Sequence, residues 1–441
     1  MSQARGEHAV GNSSAVPGHR PLDILIVTSE APPIVSGIST CIDRLATGLV
    51  ARDHNVRVLS SAQIRRIVAG EIRLSSFITH WPRIARELRH LDVVNVHGPV
   101  PTMSDVFLWL SKRLPSHSRP AIVYTYHSPI DIQGALGMSA LYNKMHERLA
   151  LRADRIVASS QHYARQHRSR YGPRVQTIPW GADRRGSARP RVRPAPGQLR
   201  ALFVGQMRPY KGIETLLAAA AGQPWLQLTM VGHGAGAANY QKLAHRLNAT
   251  NVRFLGHVTH AELNEQYASN DVVILPSVTR AEAFGLVLVE GMSAGCVPVA
   301  SDLPGVRDVA GPTGLVVPPR DPEALRAALR GLARDTALLE RLSAASRVAA
   351  ETYTWERCIA SYERVLMDAV CSRYARLHGL PMLPELDEPE RLRVITRPDA
   401  DPRSVVPAPL PAPLPAPLPA QRQPVTVPEM PVIVAGDPVE A

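Results

Sequence analysis

Aromatic residues are scarce in this sequence, at 5% of 441 residues. No basic cluster is interleaved with them, which disfavours a nucleic-acid reader built on base stacking. Cysteine is rarer still. Cys41, Cys296, Cys358 and Cys371 lie far apart, with no CxxC pair. That spacing argues against a zinc site or a disulfide framework and suits a reducing compartment. No run of about eighteen apolar residues occurs, so no segment reads as a membrane-spanning helix. Residues 1–20 hold no apolar core segment and read as a disordered leader, not a secretory signal.

What is present is globular. Hydrophobic residues make up 45% and charged residues 20%, enough for two domains plus tails. The formal net charge is +12, which favours anionic partners such as phosphorylated small molecules or acidic lipid surfaces.

From Leu22 the chain alternates short β-branched runs with longer amphipathic stretches. "DILIVTS", "NVRVLSS", "DVVNVHG", "AIVYTYH" and "RIVASS" read as strands apolar on both faces, fit for a parallel sheet under helices. The Arg-, Pro- and Gly-rich "GADRRGSARPRVRPAPGQ" reads as a linker. "LRALFVG", "LQLTMVG", "NVRFLG", "DVVILPS", "VPVAS" and "TGLVVPP" then begin a second series. The predicted architecture is α/β, with two Rossmann-like doubly wound domains facing across a cleft. Their expected spans are 21–182 and 199–353, joined by a linker over 183–198. A helix over 354–377 follows. Sixteen of the 40 prolines fall between Pro381 and Pro438, so residues 378–441 read as an extended, unpacked tail.

The stretch "AEAFGLVLVEGMSAG" concentrates the chemistry. A loop follows the strand "DVVILPS", and Phe284 and Gly285 are expected to open a helix ending at Gly295. Ligands of open α/β sheets sit outside the carboxyl ends of strands, and a helix start offers unpaired amides and partial positive charge to a phosphate. Gly285 is expected to let the backbone come close. Glu282 and Glu290 are eight positions apart, about 12 Å along a helix, too far to share one metal or one proton. They suit two hydroxyl-bearing ends of an elongated ligand, with a diphosphate between them.

With "RAEAFGLVLVEGMSAGCVPVASDLPGVRDV", "VQTIPWGAD" and "VGQMRPYKGIETLL" in view, the chain resembles the retaining glycosyltransferases of family 4, the bacterial group 1 enzymes with the GT-B fold and an E-x7-E motif. The resemblance runs from about Leu22 to Leu377. It implies that the last helix packs back on the N-terminal domain. It also implies a nucleotide-sugar donor, a carbohydrate or lipid-linked acceptor, and no cofactor. Glu282 would hold the donor sugar and Glu290 the ribose, while the backbone of Phe284, Gly285 and Leu286 would hold the diphosphate. Lys211 would neutralise phosphate. Gln206 stands where the family has arginine, and Arg208 would replace it. Gly37 and His127 would face the donor from the N-terminal domain, with Ser36 in place of a usual glycine. Gly205 and Gly232 would let the backbone approach the nucleotide, and Trp180 would frame the cleft. No Asp-x-Asp pair sits at a strand end, so no metal is expected.

Singly, each residue has a plainer reading. Glu290 reads as a solvated helix residue, Lys211 as a surface lysine, His127 as a core histidine and Gly37 as a turn glycine. The stripe Lys144, Arg148, Arg152 and Arg155 reads as a solvated face, open also to weak contact with an anionic membrane. An epimerase or phosphorylase of the same fold, or a non-catalytic sugar-nucleotide binder, stays open beside the transferase.

Overall fold

Strands form where the β-branched runs fall. In the first half they are β1 (Asp23–Thr28), β2 (Asn55–Ser60), β3 (Arg66–Ala69), β4 (Ile72–Ser75), β5 (Val93–Gly98), β6 (Ala121–Tyr126), β7 (Arg155–Ala158) and β8 (Val175–Thr177). The second half holds β9 (Leu199–Val204), β10 (Leu226–Val231), β11 (Val252–Gly256), β12 (Val272–Leu275), β13 (Val297–Ser301) and β14 (Leu315–Val317). These positions come from a computed structural model that describes residues 20–34, 36–61, 66–69, 72–130, 136–184 and 195–379. The expected leader short of Arg20, most of the linker, and the Pro-rich tail from residue 380 lie outside the described residues.

Two parallel sheets result, in the orders β2-β1-β5-β6-β7-β8 and β11-β10-β9-β12-β13-β14. β3 and β4 form a separate antiparallel hairpin that the sequence reading did not contain. β5, β6, β7, β12 and β13 are buried along their whole lengths, as strands covered by helices on both faces must be. The edge strands β2 and β11 are partly exposed.

The strand order reverses between β1 and β5 in the first sheet and between β9 and β12 in the second. At such a reversal the flanking loops leave in opposite directions and open a crevice at the strands' carboxyl ends. The second crevice lies between the loops that follow β9 and β12.

One apolar cluster joins the halves. It takes Ile24, Ile42 and Leu45 from the first, Leu275, Leu288 and Met292 from the second, and Tyr362 and Val365 from the Trp355–Leu377 helix. That helix is capped by Thr354, whose hydroxyl accepts from the Arg357 amide at 3.3 Å. It packs on the Gly37–Val50 helix and on β6, and its Asp368 accepts from Arg155 Nε of β7 at 2.5 Å.

Candidate functional site

The crevice between β9 and β12 is where the charged residues meet. The loop after β9 carries Arg208 and Lys211, and the loop after β12 carries Ser277 and Glu282. Lys211 Nζ donates to Glu282 Oε2 at 2.5 Å, and Ser277 Oγ donates to the same oxygen at 3.2 Å. The two side chains are 11% and 13% exposed, so the pair is close to fully desolvated. Burial opposes the Lys211 charge, but the Glu282 carboxylate and the Tyr210 hydroxyl prevail and hold its pKa above the ordinary lysine value. The Lys211 and Ser277 bonds both go to Oε2, and Glu282 Oε1 takes no hydrogen bond among the described residues. Arg208 is half-buried and pairs with no carboxylate among the described residues.

Gly212 brings the two loops together. Its φ is +69°, and a Cβ there would fall 1.9 Å from the carbonyl oxygen of Pro276. Only glycine permits both the conformation and the approach. Gly205 lies beside the same lysine, its Cβ position being 3.6 Å from Lys211 Cε. Gly232 serves packing: its amide donates to the Gly256 carbonyl at 2.8 Å, and its Cβ position meets the Gly205 carbonyl.

The helix expected from Phe284 begins two residues later, at Leu286, and runs to Ser293. Gly285 has φ +84° and ψ 57°, a left-handed capping conformation outside the helical region. The space beside its Cα is filled by Leu275 and Leu288, so this glycine answers to packing from within. The amides of Phe284, Gly285, Leu286 and Val287 donate to no acceptor among the described residues. Glu282 therefore lies in a turn, its amide donating to the Thr279 carbonyl at 3.4 Å, and the 12 Å separation expected along one helix does not apply. Glu290 is within the helix, half-buried, and accepts from the hydroxyl of the fully buried Tyr267 at 2.8 Å.

A second helix start faces this one. Gly37 opens the Gly37–Val50 helix, and its Cβ position lies 3.7 Å from Leu286 Cδ1. Ser36, where a glycine is usual, caps that helix: extended at φ −159°, it accepts from the Ser39 amide at 3.1 Å.

His127 follows β6 in the first half, its amide donating to the Gly98 carbonyl at 2.9 Å. Its Nε2 lies 3.1 Å from Nδ1 of His97, the penultimate residue of β5. Trp180 stacks on both imidazoles and on Tyr362, with centroids 6.1, 6.2 and 5.3 Å away. One ring of the histidine pair must donate and the other accept, which fixes their tautomers jointly. Sequence reasoning missed His97, Ser277, Gly212 and Tyr267. The one signal available was position, since His97 lies next to the end of a strand at a topological reversal.

Burial holds His127 and His146 at about 4, burial with the Arg170 charge does the same to His167, and burial, with repulsion between the charged forms of His97 and His127, holds His97 well below the ordinary histidine value. Their folded pKa values lie below the unfolded value near 6.5, so the unfolded chain binds more protons between about pH 4 and 6.5. Stability is complete above that window and is lost as pH falls through it. Each of the three at about 4 removes on the order of 2 kcal/mol by pH 5. The denaturant midpoint should therefore drop steeply from pH 7.5 to pH 5, and a flat profile would contradict the neutral burial of these rings.

Residues 35–185 match the family described as "Glycosyltransferase Family 4" and residues 185–349 that described as "Glycosyl transferases group 1". O-antigen chain mannosyltransferase C of Escherichia coli is 31% identical over 297 residues, spanning 65% of this chain and 76% of its own. The chain belongs to the group 1, family 4 glycosyltransferases. D-rhamnosyltransferase WbpZ of Pseudomonas aeruginosa is 35% identical over 256 residues, 55% of this glycosyltransferase and 64% of its own length. Sucrose-phosphate synthase from Thermosynechococcus elongatus superposes with a TM-score of 0.61 at 20% identity, over 81% of this chain and 99% of its own. The Anabaena protein HepE, solved with UDP, gives 0.60 at 18% identity, over 78% and 99%. These two likenesses carry the fold, the two-sheet GT-B architecture of this glycosyltransferase.

Proposed function

We propose that the protein moves a hexosyl unit from a nucleoside-diphosphate sugar, a UDP- or GDP-sugar, to an acceptor hydroxyl with retention at the anomeric carbon. The acceptor is a carbohydrate or a lipid-linked saccharide, and the setting is cytoplasmic synthesis of a polysaccharide or glycolipid. One observation carries the reading: a desolvated Lys211–Glu282 pair at the sheet reversal, beside a run of amides from Phe284 to Val287 that are unsatisfied among the described residues. Such a site offers positive potential to a diphosphate and a carboxylate oxygen to a sugar hydroxyl. HepE, of the same fold, was solved with UDP-glucose, which agrees with a donor of this class.

In this reading Glu282 Oε1 accepts from the donor sugar and Glu290 from the ribose. Lys211, Arg208 and the amides of Phe284, Gly285 and Leu286 hold the diphosphate. The bond from the anomeric carbon to the diphosphate oxygen breaks as the acceptor oxygen attacks the same face. The leaving phosphate takes the acceptor proton. Gly37 and His127 close on the donor from the first half, and the neutral His127 offers a hydrogen bond to the sugar without competing for that proton. No metal takes part.

The test is a panel of nucleoside diphosphates and nucleotide sugars scored by thermal shift and by sugar transfer, with and without chelator. At 100 times its Kd a ligand should stabilise by about 2.7 kcal/mol, unchanged by chelator. Failure of every UDP, GDP and ADP compound to bind would remove the donor assignment.

A further inference from the structure

The Leu136–Ala150 helix is seated by its inner face. His146 Nε2 lies 2.8 Å from the buried Tyr124 hydroxyl of β6, and Asn143 donates to the Ile130 carbonyl at 2.8 Å. Its outer face is covered by nothing described. Met138 is 65% exposed, Leu141 71% and Met145 44%, and their spacing of three and four places them on one side. Leu151, just past the helix, and Trp109, on the Ser104–Ser111 helix, are exposed as well. Arg152 ties these regions together, its guanidinium donating to the carbonyls of Leu108 and Trp109 at 3.2 Å. Ten large apolar side chains are exposed among the described residues, and five of them fall on the Leu136–Ala150 helix, just past its end, and on the Ser104–Ser111 helix packed against it. Exposed apolar residues scattered singly need no explanation; a cluster of them marks a contact surface.

The same region is cationic. Lys144 and Arg148 are exposed on the helix, Lys112 and Arg113 are exposed beside Trp109, and the Arg113 guanidinium lies 3.6 Å over the indole ring. None of the four pairs with a carboxylate among the described residues. The helix's one acid, Glu147, is taken by Arg170 at 2.6 Å. Lysine is depleted from the core of protein–protein interfaces. Methionine, leucine and an interfacial tryptophan among unneutralised cations match the boundary of an anionic bilayer instead.

We propose that this face, Met138, Leu141 and Met145 with Trp109, Lys144 and Arg148, docks the protein on an anionic lipid membrane. The apolar side chains enter the boundary between headgroups and acyl chains, and the cations meet the lipid phosphates. This deepens the reading of a lipid-linked acceptor, because it sets the enzyme on the surface where such a substrate lies.

The test uses the full chain and two vesicle preparations, phosphatidylcholine alone and phosphatidylcholine mixed with phosphatidylglycerol. Cosedimentation should occur with the anionic vesicles and weaken as salt rises. The exposed Trp109 should shift its emission to the blue on binding, a change lost in Trp109→Phe. Lys144→Glu with Arg148→Glu should weaken binding by roughly 20-fold or more, about fivefold per cation. Met138→Ser, Leu141→Ser and Met145→Ser together should weaken it at least about tenfold. A nucleotide-induced thermal shift equal to that of the parent shows that each variant is folded. Equal binding to both vesicles, no binding to either, or variants that bind like the parent would overturn the proposal. So would charge-dependent self-association without vesicle binding, which assigns the face to a second copy. The readout is independent of sugar transfer, so vesicle binding without nucleotide binding would sink the donor reading and leave this one standing.

Discussion

Lys211→Met should lower turnover about 10²–10³-fold, the loss expected when one preorganised donor to a developing oxyanion is removed. It should also destabilise the protein by about 3 kcal/mol, because the Glu282 carboxylate is then left nearly buried without its cation. Those two effects have separate causes, and a double variant divides them. Adding Glu282→Gln removes the stranded charge while keeping a group that Ser277 can reach, 3.2 Å away in the parent. Stability should return to within about 1 kcal/mol of the parent. Turnover should not return. If Lys211→Met stayed within tenfold of the parent, or if the double variant recovered both properties, the pair would be a structural ion pair only.

Gly212→Ala should be among the most damaging single-atom additions in the second half. The new Cβ meets the Pro276 oxygen at 1.9 Å and the backbone φ is +69°, so the loops after β9 and β12 must part. A loss of about 3 kcal/mol or more is expected, read from denaturant midpoints, together with collapse of turnover as Lys211 leaves Glu282. Gly222→Ala is the control. Gly222 shares the φ of +69° but has open space beside it, so its cost should be about 1 kcal/mol with turnover intact. Equal losses at the two positions would show that backbone strain alone acts and that the loop contact does not shape the site.

Much of this was legible in the sequence because strand signals and strand ends are local. β-branched runs such as "DVVILPS" mark buried parallel strands, and Lys211, Glu282 and His127 lie within a few residues of such ends. What local patterns lack is the long-range partner. Lys211 and Glu282 are 71 residues apart, and only the reversal between β9 and β12 brings them to 2.5 Å. His97 and His127 meet by the pairing of β5 with β6, and Tyr267 reaches Glu290 from another helix. The helix start was placed two residues early because "FGLVLVEGM" is apolar throughout, and apolar continuity does not register the left-handed turn at Gly285. β3, β4 and β8 lay outside the sequence reading, and length alone does not explain it, since β3 has the same tetrapeptide, RIVA, as β7; among the described residues β3 and β4 pair only with each other, apart from the parallel sheets. Ser36 departed from the family pattern yet is accounted for by its cap on the Gly37–Val50 helix.

The most direct measurement is an experimental structure with a bound nucleoside-diphosphate sugar. The account predicts the diphosphate within hydrogen-bond reach of Lys211, Arg208 and the amides of Gly285 and Leu286, with the sugar on Glu282 and the ribose on Glu290. A diphosphate seated in another crevice, or Lys211 still paired only to Glu282 with the ligand bound elsewhere, would contradict it.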